Sequence, residues 1–290
     1  MGKRYQAVII ATSLLGVGFL PAKYLASHNI AVLNPKGLIA LQERDLMITV
    51  TLLMLIVVVP VFILTFVIAW RYREGNTKAK YTPDWDHNRV AEFTWWAIPC
   101  ALIVVIGYIT WQSSHKLDPF KPLASNVNPV TIQVVALPWK WLFIYPDQNI
   151  ATVNFIEFPK NTPINFEVTS DAPMNSFWIP QLGGQIYAMA GMSTSLHLEA
   201  SEAGSFAGSS ANLSGAGFAG MKFVARSVES RDFDDWVAKV ASTGSQLGAN
   251  EYTRLAMPSE NNAVAYFSPA DSGLYDWVMS KYMMPGLLTQ

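Results

Sequence analysis

The stretch LMITVTLLMLIVVVPVFILTFVIAW, residues 46–70, runs for 25 residues without a charge, and FTWWAIPCALIVVIGYITW, residues 93–111, runs for 19 more. At about 1.5 Å of rise per residue, each is long enough to cross a hydrocarbon core of about 30 Å. Both therefore read as transmembrane helices rather than as helices buried in a soluble core. Trp70, Tyr72, Trp95, Trp96, Tyr108 and Trp111 stand near their ends, the depth at which amphipathic rings settle between lipid and water. Pro60 and Pro99 lie inside the runs, which a membrane helix tolerates when its neighbours satisfy the freed carbonyls.

Between the two runs, Arg71, Arg73, Lys78, Lys80 and Arg89 outnumber Glu74, Asp84 and Asp86. Basic loops stay in the cytoplasm, so the outer flanks of this helical hairpin face outward, and everything after His115 is presented to the periplasm of a bacterial inner membrane. Further upstream, Lys3 and Arg4 precede an apolar run at residues 7–20 and then Pro21, the pattern of a secretory signal. Leu25, Ala26 and Ser27 look like the front of a lipoprotein cleavage box, but the next residue is His28 and offers no thiol to a lipid. Both fates of this segment, removal by another peptidase or retention as an extra helix, fit the pattern.

Composition agrees with a chain partly in lipid: hydrophobic residues make up 51% and charged residues 14%. The net charge of -1 hides a division, because residues 1–115 carry ten basic and six acidic side chains and residues 116–290 ten basic and fifteen acidic. An acidic second part argues against nucleic acid as a partner.

Residues 118–129, with Pro119, Pro122 and Pro129, read as a linker. After it the period changes to two. Runs at 131–135, 139–145, 164–170, 193–198 and 222–227 are β-rich and separated by Pro, Gly, Asn and Asp, which predicts antiparallel strands in a sandwich or barrel. Residues 204–220 read only as a tract rich in Gly, Ala and Ser. In the tail, Phe233, Trp236, Val237 and Val240 share one helical face and Leu274, Trp277 and Val278 another. With Tyr252, Tyr266, Phe267 and Tyr282 the tail is aromatic-rich, and it is expected to pack on the sandwich or on a partner.

Candidate chemistry is sparse. The single cysteine, Cys100, excludes an intrachain disulfide and any multi-cysteine metal site. His28, His87, His115 and His197 show no ligand spacing. Met174, Met189, Met192 and Met221 read as filler rather than as a copper site. No nucleophile elbow, phosphate loop or dinucleotide fingerprint occurs. Glu92 is the one acidic group at the cytoplasmic start of a span, and is either a proton-path residue or a solvated helix-start residue favoured by the dipole.

Two spans, a β-sandwich and an aromatic tail resemble the haem-copper oxidase subunit II family over nearly the whole chain. The landmarks are His87 and Asn88, then Glu92, Trp95 and Pro99 in the family's E-x-x-W-x-x-x-P pattern, then Pro138, Trp139, Lys140 and Trp141, then the stretch from Met174 to Pro180. The resemblance implies a cupredoxin-like Greek-key sandwich. Copper-bearing members hold a binuclear centre, CuA, with an early His and a run C-x-x-x-C-x-x-x-H-x-x-M. Here those positions carry Asn175, Ser210, Ser214, Phe218 and Met221, and Asn212 stands where those members have a magnesium-contacting Glu. Hydroxyls, an amide and a phenyl ring lack the soft donors copper needs, so no metal or other cofactor is expected in this subunit. Trp139 and Trp141 match the strand that takes electrons from cytochrome c in copper-bearing relatives, and a packing role is expected for them here.

Residues 175–180, 187–192 and 215–221 resemble the ubiquinol-oxidising, cytochrome bo-type branch in particular. That likeness implies a complex that oxidises ubiquinol, reduces oxygen to water and pumps protons, with two haems and CuB in subunit I. This chain would then dock on subunit I and supply Glu92 to a proton route. The expected organisation is a signal-like segment at 1–28, a two-helix anchor at 29–115, a periplasmic cupredoxin-like domain at 116–228 and an aromatic-rich, helical C-terminal region at 229–290. Two other classes compete: a cytochrome c oxidase subunit II with a degenerate CuA site, and a free-standing membrane-tethered binding protein or copper chaperone.

Overall fold

The computed structural model describes residues 30–80, 82 and 86–283, together with 23, 24 and 27. The signal-like run at 7–20, with His28, lies outside the described residues, as does Asp84.

Helices α1 (Leu38–Arg71) and α2 (Arg89–Lys116) contain the two apolar runs and outlast them at both ends. The excess is physical. An apolar core fills the hydrocarbon, while Glu43, Arg44 and Asp45 continue α1 and His115 and Lys116 continue α2 into the polar interface. Asn88 caps α2, its side-chain oxygen accepting from the backbone N–H groups of Val90 and Ala91 at 3.1 Å each. Within the spans, the hydroxyls of Thr49, Thr51, Thr65 and Thr94 donate to carbonyls four residues earlier at 2.7–2.8 Å, so these polar atoms need no partner from lipid. Both helices are long and apolar enough to cross a membrane, and neither buries any of its most apolar window in this chain, whereas the core helix of a soluble protein is mostly buried.

The second compact unit comprises the described residues up to Leu41 and from Pro122 onward. Its strands are β1 (Val130–Leu137), β2 (Lys140–Tyr145), β3 (Ile150–Val153), β4 (Phe155–Pro159), β5 (Ile164–Ser170), β6 (Asn175–Trp178), β7 (Ile186–Ala188), β8 (Thr194–Leu198), β9 (Gly204–Ser210), β10 (Lys222–Val228) and β11 (Ala265–Phe267). They form a six-stranded sheet in the order β11-β3-β2-β1-β5-β8 and a five-stranded sheet in the order β4-β10-β9-β6-β7. The expectation of purely antiparallel strands fails at two places: β1 runs parallel to β5 and β10 parallel to β4. Each parallel pair joins strands whose connection crosses over other strands instead of turning back, a consequence of the crossed strand order.

Between the sheets lies an aromatic core. Phe177 and Phe223 stack at 5.1 Å, and Trp141 and Phe166 meet Phe177 at 5.5 and 5.0 Å. Trp141, Phe143 and Tyr145 point into this core from β2, while Leu142 and Ile144 face the other way. That second face is also fully buried, because the tail covers it.

The tail contributes α3 (Ser230–Ala241), α4 (Ala249–Leu255) and α5 (Leu274–Met283). Phe233 and Val240 of α3 close the inter-sheet core, as the helical face in the sequence predicts. Leu247, Tyr252, Phe267, Leu274 and Val278 cover Val135, Leu137, Leu142 and Ile144 on the outer face of the six-stranded sheet. Each such side chain contributes about 1.5–3 kcal/mol by leaving water, so the tail is an integral layer of this unit. The chain ahead of α1 joins the same unit: Gly37 bridges Ala200, Lys36 N–H donates to Gln181 O at 2.7 Å, and Lys36 pairs with Glu202 at 2.7 Å.

Candidate functional site

Three of the positions that match copper ligands in the resembling family, Asn175, Ser210 and Met221, meet at one end of the five-stranded sheet. β6 and β9 lie side by side, with Phe177 paired to Ser210. A loop from 211 to 221, containing a 3-10 turn at Ala216–Gly220, then leads into β10.

Asn175 is 1% exposed. Its amide N–H donates to Pro173 O at 2.7 Å, and its side-chain oxygen accepts the Ser210 hydroxyl at 3.0 Å. The backbone N–H of Ser210 donates to Met221 O at 3.2 Å. Asn212 is fixed by its side-chain amide, which donates to Met174 O at 2.9 Å. Asn175, Ser210, Asn212 and Met221 are thus drawn together. Ser214 is held elsewhere: its carbonyl accepts the indole N–H of Trp139 at 3.2 Å, and its buried hydroxyl has no hydrogen-bond partner among the described residues. Phe218 is tied through its backbone, donating to Gly215 O at 3.2 Å and accepting from Met221 N–H at 3.0 Å.

Chemically this set is neutral and hard. A serine proton engaged by an amide oxygen is no thiolate, and the amide and phenyl groups do not replace imidazole as copper donors. The binuclear copper that the fold family implies therefore does not fit the residues present. Among the described residues, no group of three or more His, Cys, Asp and Glu gathers. The histidines are dispersed: His87 lies beside Asp86 in an exposed loop, the ring of His115 bonds Trp111 O at 2.8 Å, and His197 sits on β8. Met221 is buried, whereas Met174 and Met192 are about half exposed.

The two tryptophans divide in role. Trp141 is fully buried in the inter-sheet core. Trp139 is not in a strand: it occupies the two-residue turn between Leu137 and Lys140, with φ 62, a left-handed conformation rarely held by a bulky residue.

Glu92 stands in the first turn of α2, its backbone N–H donating to Asn88 O at 2.9 Å. The N-terminal turn places a carboxylate at the favourable end of the helix dipole.

Two buried charged centres escaped the sequence reading. Lys140, 2% exposed, donates to Leu255 O at 2.8 Å, Met257 O at 2.9 Å and Ser259 Oγ at 2.5 Å, and burial lowers its pKa from the ordinary lysine value. Asp171, just past β5, accepts from Tyr252 at 2.5 Å, Lys281 at 2.7 Å and Tyr282 at 2.6 Å. Burial, then the hydrogen bond to Asp171, raises the pKa of both tyrosines, that of Tyr282 to about 12. No local pattern reveals either centre, because the partners lie about a hundred residues away in the chain.

Comparison with known proteins bears on the whole chain. Residues 241–286 match the COX Aromatic Rich Motif. The chain is 53% identical over 270 residues to the cytochrome bo(3) ubiquinol oxidase subunit 2 of Pseudomonas aeruginosa, covering 93% of this chain and 82% of that protein. It is 49% identical over 267 residues to the ubiquinol oxidase subunit 2 of Acetobacter aceti, covering 91% and 87%. Among solved structures, the periplasmic domain of subunit II of cytochrome oxidase from Bradyrhizobium japonicum is 25% identical, with 40% of this chain and 96% of that one aligned and a TM-score of 0.38. With the identity to its relatives extending over nine-tenths of its length, the chain belongs to the ubiquinol oxidase subunit 2 family of haem-copper oxidases.

Proposed function

We propose that this chain is the subunit 2 of a proton-pumping ubiquinol oxidase and that it carries no redox metal of its own. The observation that carries this reading is the Asn175–Ser210 hydrogen bond, which engages two of the matched ligand positions with each other. With no electron relay in the sandwich, electrons from a bilayer-dissolved quinol enter subunit I directly, where the haems and CuB reside. The chain's part is to dock on subunit I, cap its outer face and offer Glu92 to a proton route.

Topology supports placing the sandwich in the periplasm. Residues 36–40 are hydrogen-bonded to residues 181, 182 and 201, so the flank before α1 and the domain after α2 share a compartment. Two crossings separate them, and the basic connecting loop belongs to the cytoplasm of the inner membrane.

The test is purification of the intact complex in mild detergent, followed by haem and copper spectra and by turnover with ubiquinol and with reduced cytochrome c. Haem absorbance without a purple mixed-valence chromophore, and fast turnover with quinol alone, is the expected result. Fast oxidation of cytochrome c overturns it.

A further inference from the structure

The loop at 211–221 is held on its outer side by the tail. A Cβ on Gly217 would stand 2.5 Å from the Trp139 ring and 2.8 Å from the Glu260 side chain. One on Gly220 would stand 2.6 Å from the Asn261 side-chain oxygen. The side chains of Glu260 and Asn261 in the tail segment at 255–262 therefore lie against the loop's glycine backbone, closer than a side chain at Gly217 or Gly220 would permit.

The residues that fix this meeting are adjacent in sequence. Trp139 reaches the loop through its N–H to Ser214 O, and Lys140 reaches the tail with all three ammonium protons. None of the three acceptors is a carboxylate. The carbonyls of Leu255 and Met257, at and just past the C-terminal end of α4, present the negative end of that helix to the cation. Farther along, Ser259 donates to the Asn262 side chain at 2.9 Å, and Asn154 bridges Asn262 O at 3.0 Å to the backbone N–H of Trp141 at 2.9 Å. One turn and the start of β2 thus tie tail and loop into a single junction.

We propose that the tail segment at 255–262, fastened by Lys140, is the clamp that holds loop 211–221 in shape. The proposal rests on the reading that this loop binds no metal. It gives the aromatic-rich tail a task tied to the redox-silent site. Loosening the tail at Lys140 loosens the loop, while loosening it at Tyr282, at the far end of α5, does not.

The test is amide hydrogen exchange by mass spectrometry on the intact oxidase complex carrying Lys140→Met, Ser259→Ala or Tyr282→Phe, with copper quantified in each preparation. In Lys140→Met and Ser259→Ala, exchange in 211–221 and 255–262 rises together by about tenfold or more, while β1, β5 and β8 keep their protection. Tyr282→Phe raises exchange only around α5. If Lys140→Met does not assemble, Ser259→Ala decides. Faster exchange in the tail alone, or in neither segment, overturns the clamp and leaves the metal-free reading standing. Copper bound in a CuA-type stoichiometry overturns that reading and the clamp with it.

Discussion

Lys281 donates to Asp171 at 2.7 Å while its ammonium lies 4.1 Å above the ring of Trp277, so one cation joins the end of β5 to α5. Asp171 is 9% exposed at its side chain and accepts two tyrosine hydroxyls besides. Charged hydrogen bonds of this kind contribute about 1.5–3 kcal/mol each. Asp171→Asn keeps the shape and removes the charge, and is expected to destabilise the β-sandwich unit by about 2–4 kcal/mol. The check is a thermal melt together with trypsin digestion. The melting temperature should fall, and cleavage after Lys281 should precede any cut within the sandwich.

The same centre sets an alkaline limit. The hydroxyl of Tyr282 is raised from 10.0 to about 12, and that of Tyr252 is raised further in the same direction, both first by burial and then by Asp171. A raised folded pKa means the folded state holds the proton more tightly than the unfolded one, so stability is present in full below pH 10 and is lost as pH rises toward 12. Tyrosinate absorbance at rising pH should therefore lag behind that of the denatured chain. Tyr282→Phe should remove the lower part of that lag; an unchanged titration curve would count against the placement of Tyr282 on Asp171.

What the sequence could reveal follows from where each buried face finds its partner. The spans were legible because lipid demands apolar residues all round, and β5 and the face of α3 because they carry their periods openly. β9 was not, since two of its buried positions are Gly208 and Ser210, neither of them apolar in appearance. Gly208 is required there because a Cβ would stand 2.1 Å from the ring of Phe223. The parallel pairing of β1 with β5 is a property of strand order, which no local period encodes. At the site, the residue identities were legible through resemblance. Their hydrogen-bonded arrangement, and the long-range grip of Lys140 and Asp171, depend on tertiary contacts that the sequence does not spell out.

Glu157 on β4 is a buried carboxylate in an uneasy setting. Its side chain is 2% exposed, Arg226 approaches only to 3.7 Å, and one carboxylate oxygen has no hydrogen-bond partner among the described residues. Burial raises its pKa above 4.5, opposed by Arg226 and assisted by Asp232. The sign is then opposite to that of a paired carboxylate: ionising Glu157 weakens the fold as pH climbs through its raised pKa. Glu157→Met is expected to raise the melting temperature at pH 7, with the gain shrinking in acid as the native group protonates. A fall in melting temperature at neutral pH would show that the charge is stabilising after all.

Glu92 offers the sharpest test of the functional reading, because its two roles make different predictions. As a dipole-matched helix-start residue beside the Asn88 cap, it would contribute only about 0.3–1 kcal/mol to α2, and Glu92→Gln would leave turnover intact. As a proton-path residue it must exchange protons, so Glu92→Gln and Glu92→Ala should both slow reduction of the oxygen site while leaving haem spectra and complex assembly unchanged. Asn88→Ala separates the two effects, since it removes the cap at a cost of about 1 kcal/mol and leaves the carboxylate in place. Stopped-flow reduction of the three variants, alongside proton uptake in vesicles, should show the two Glu92 variants slow and Asn88→Ala close to the parent. Equal rates in all of them would leave Glu92 as a helix-start residue matched to the dipole and remove it from the proton route.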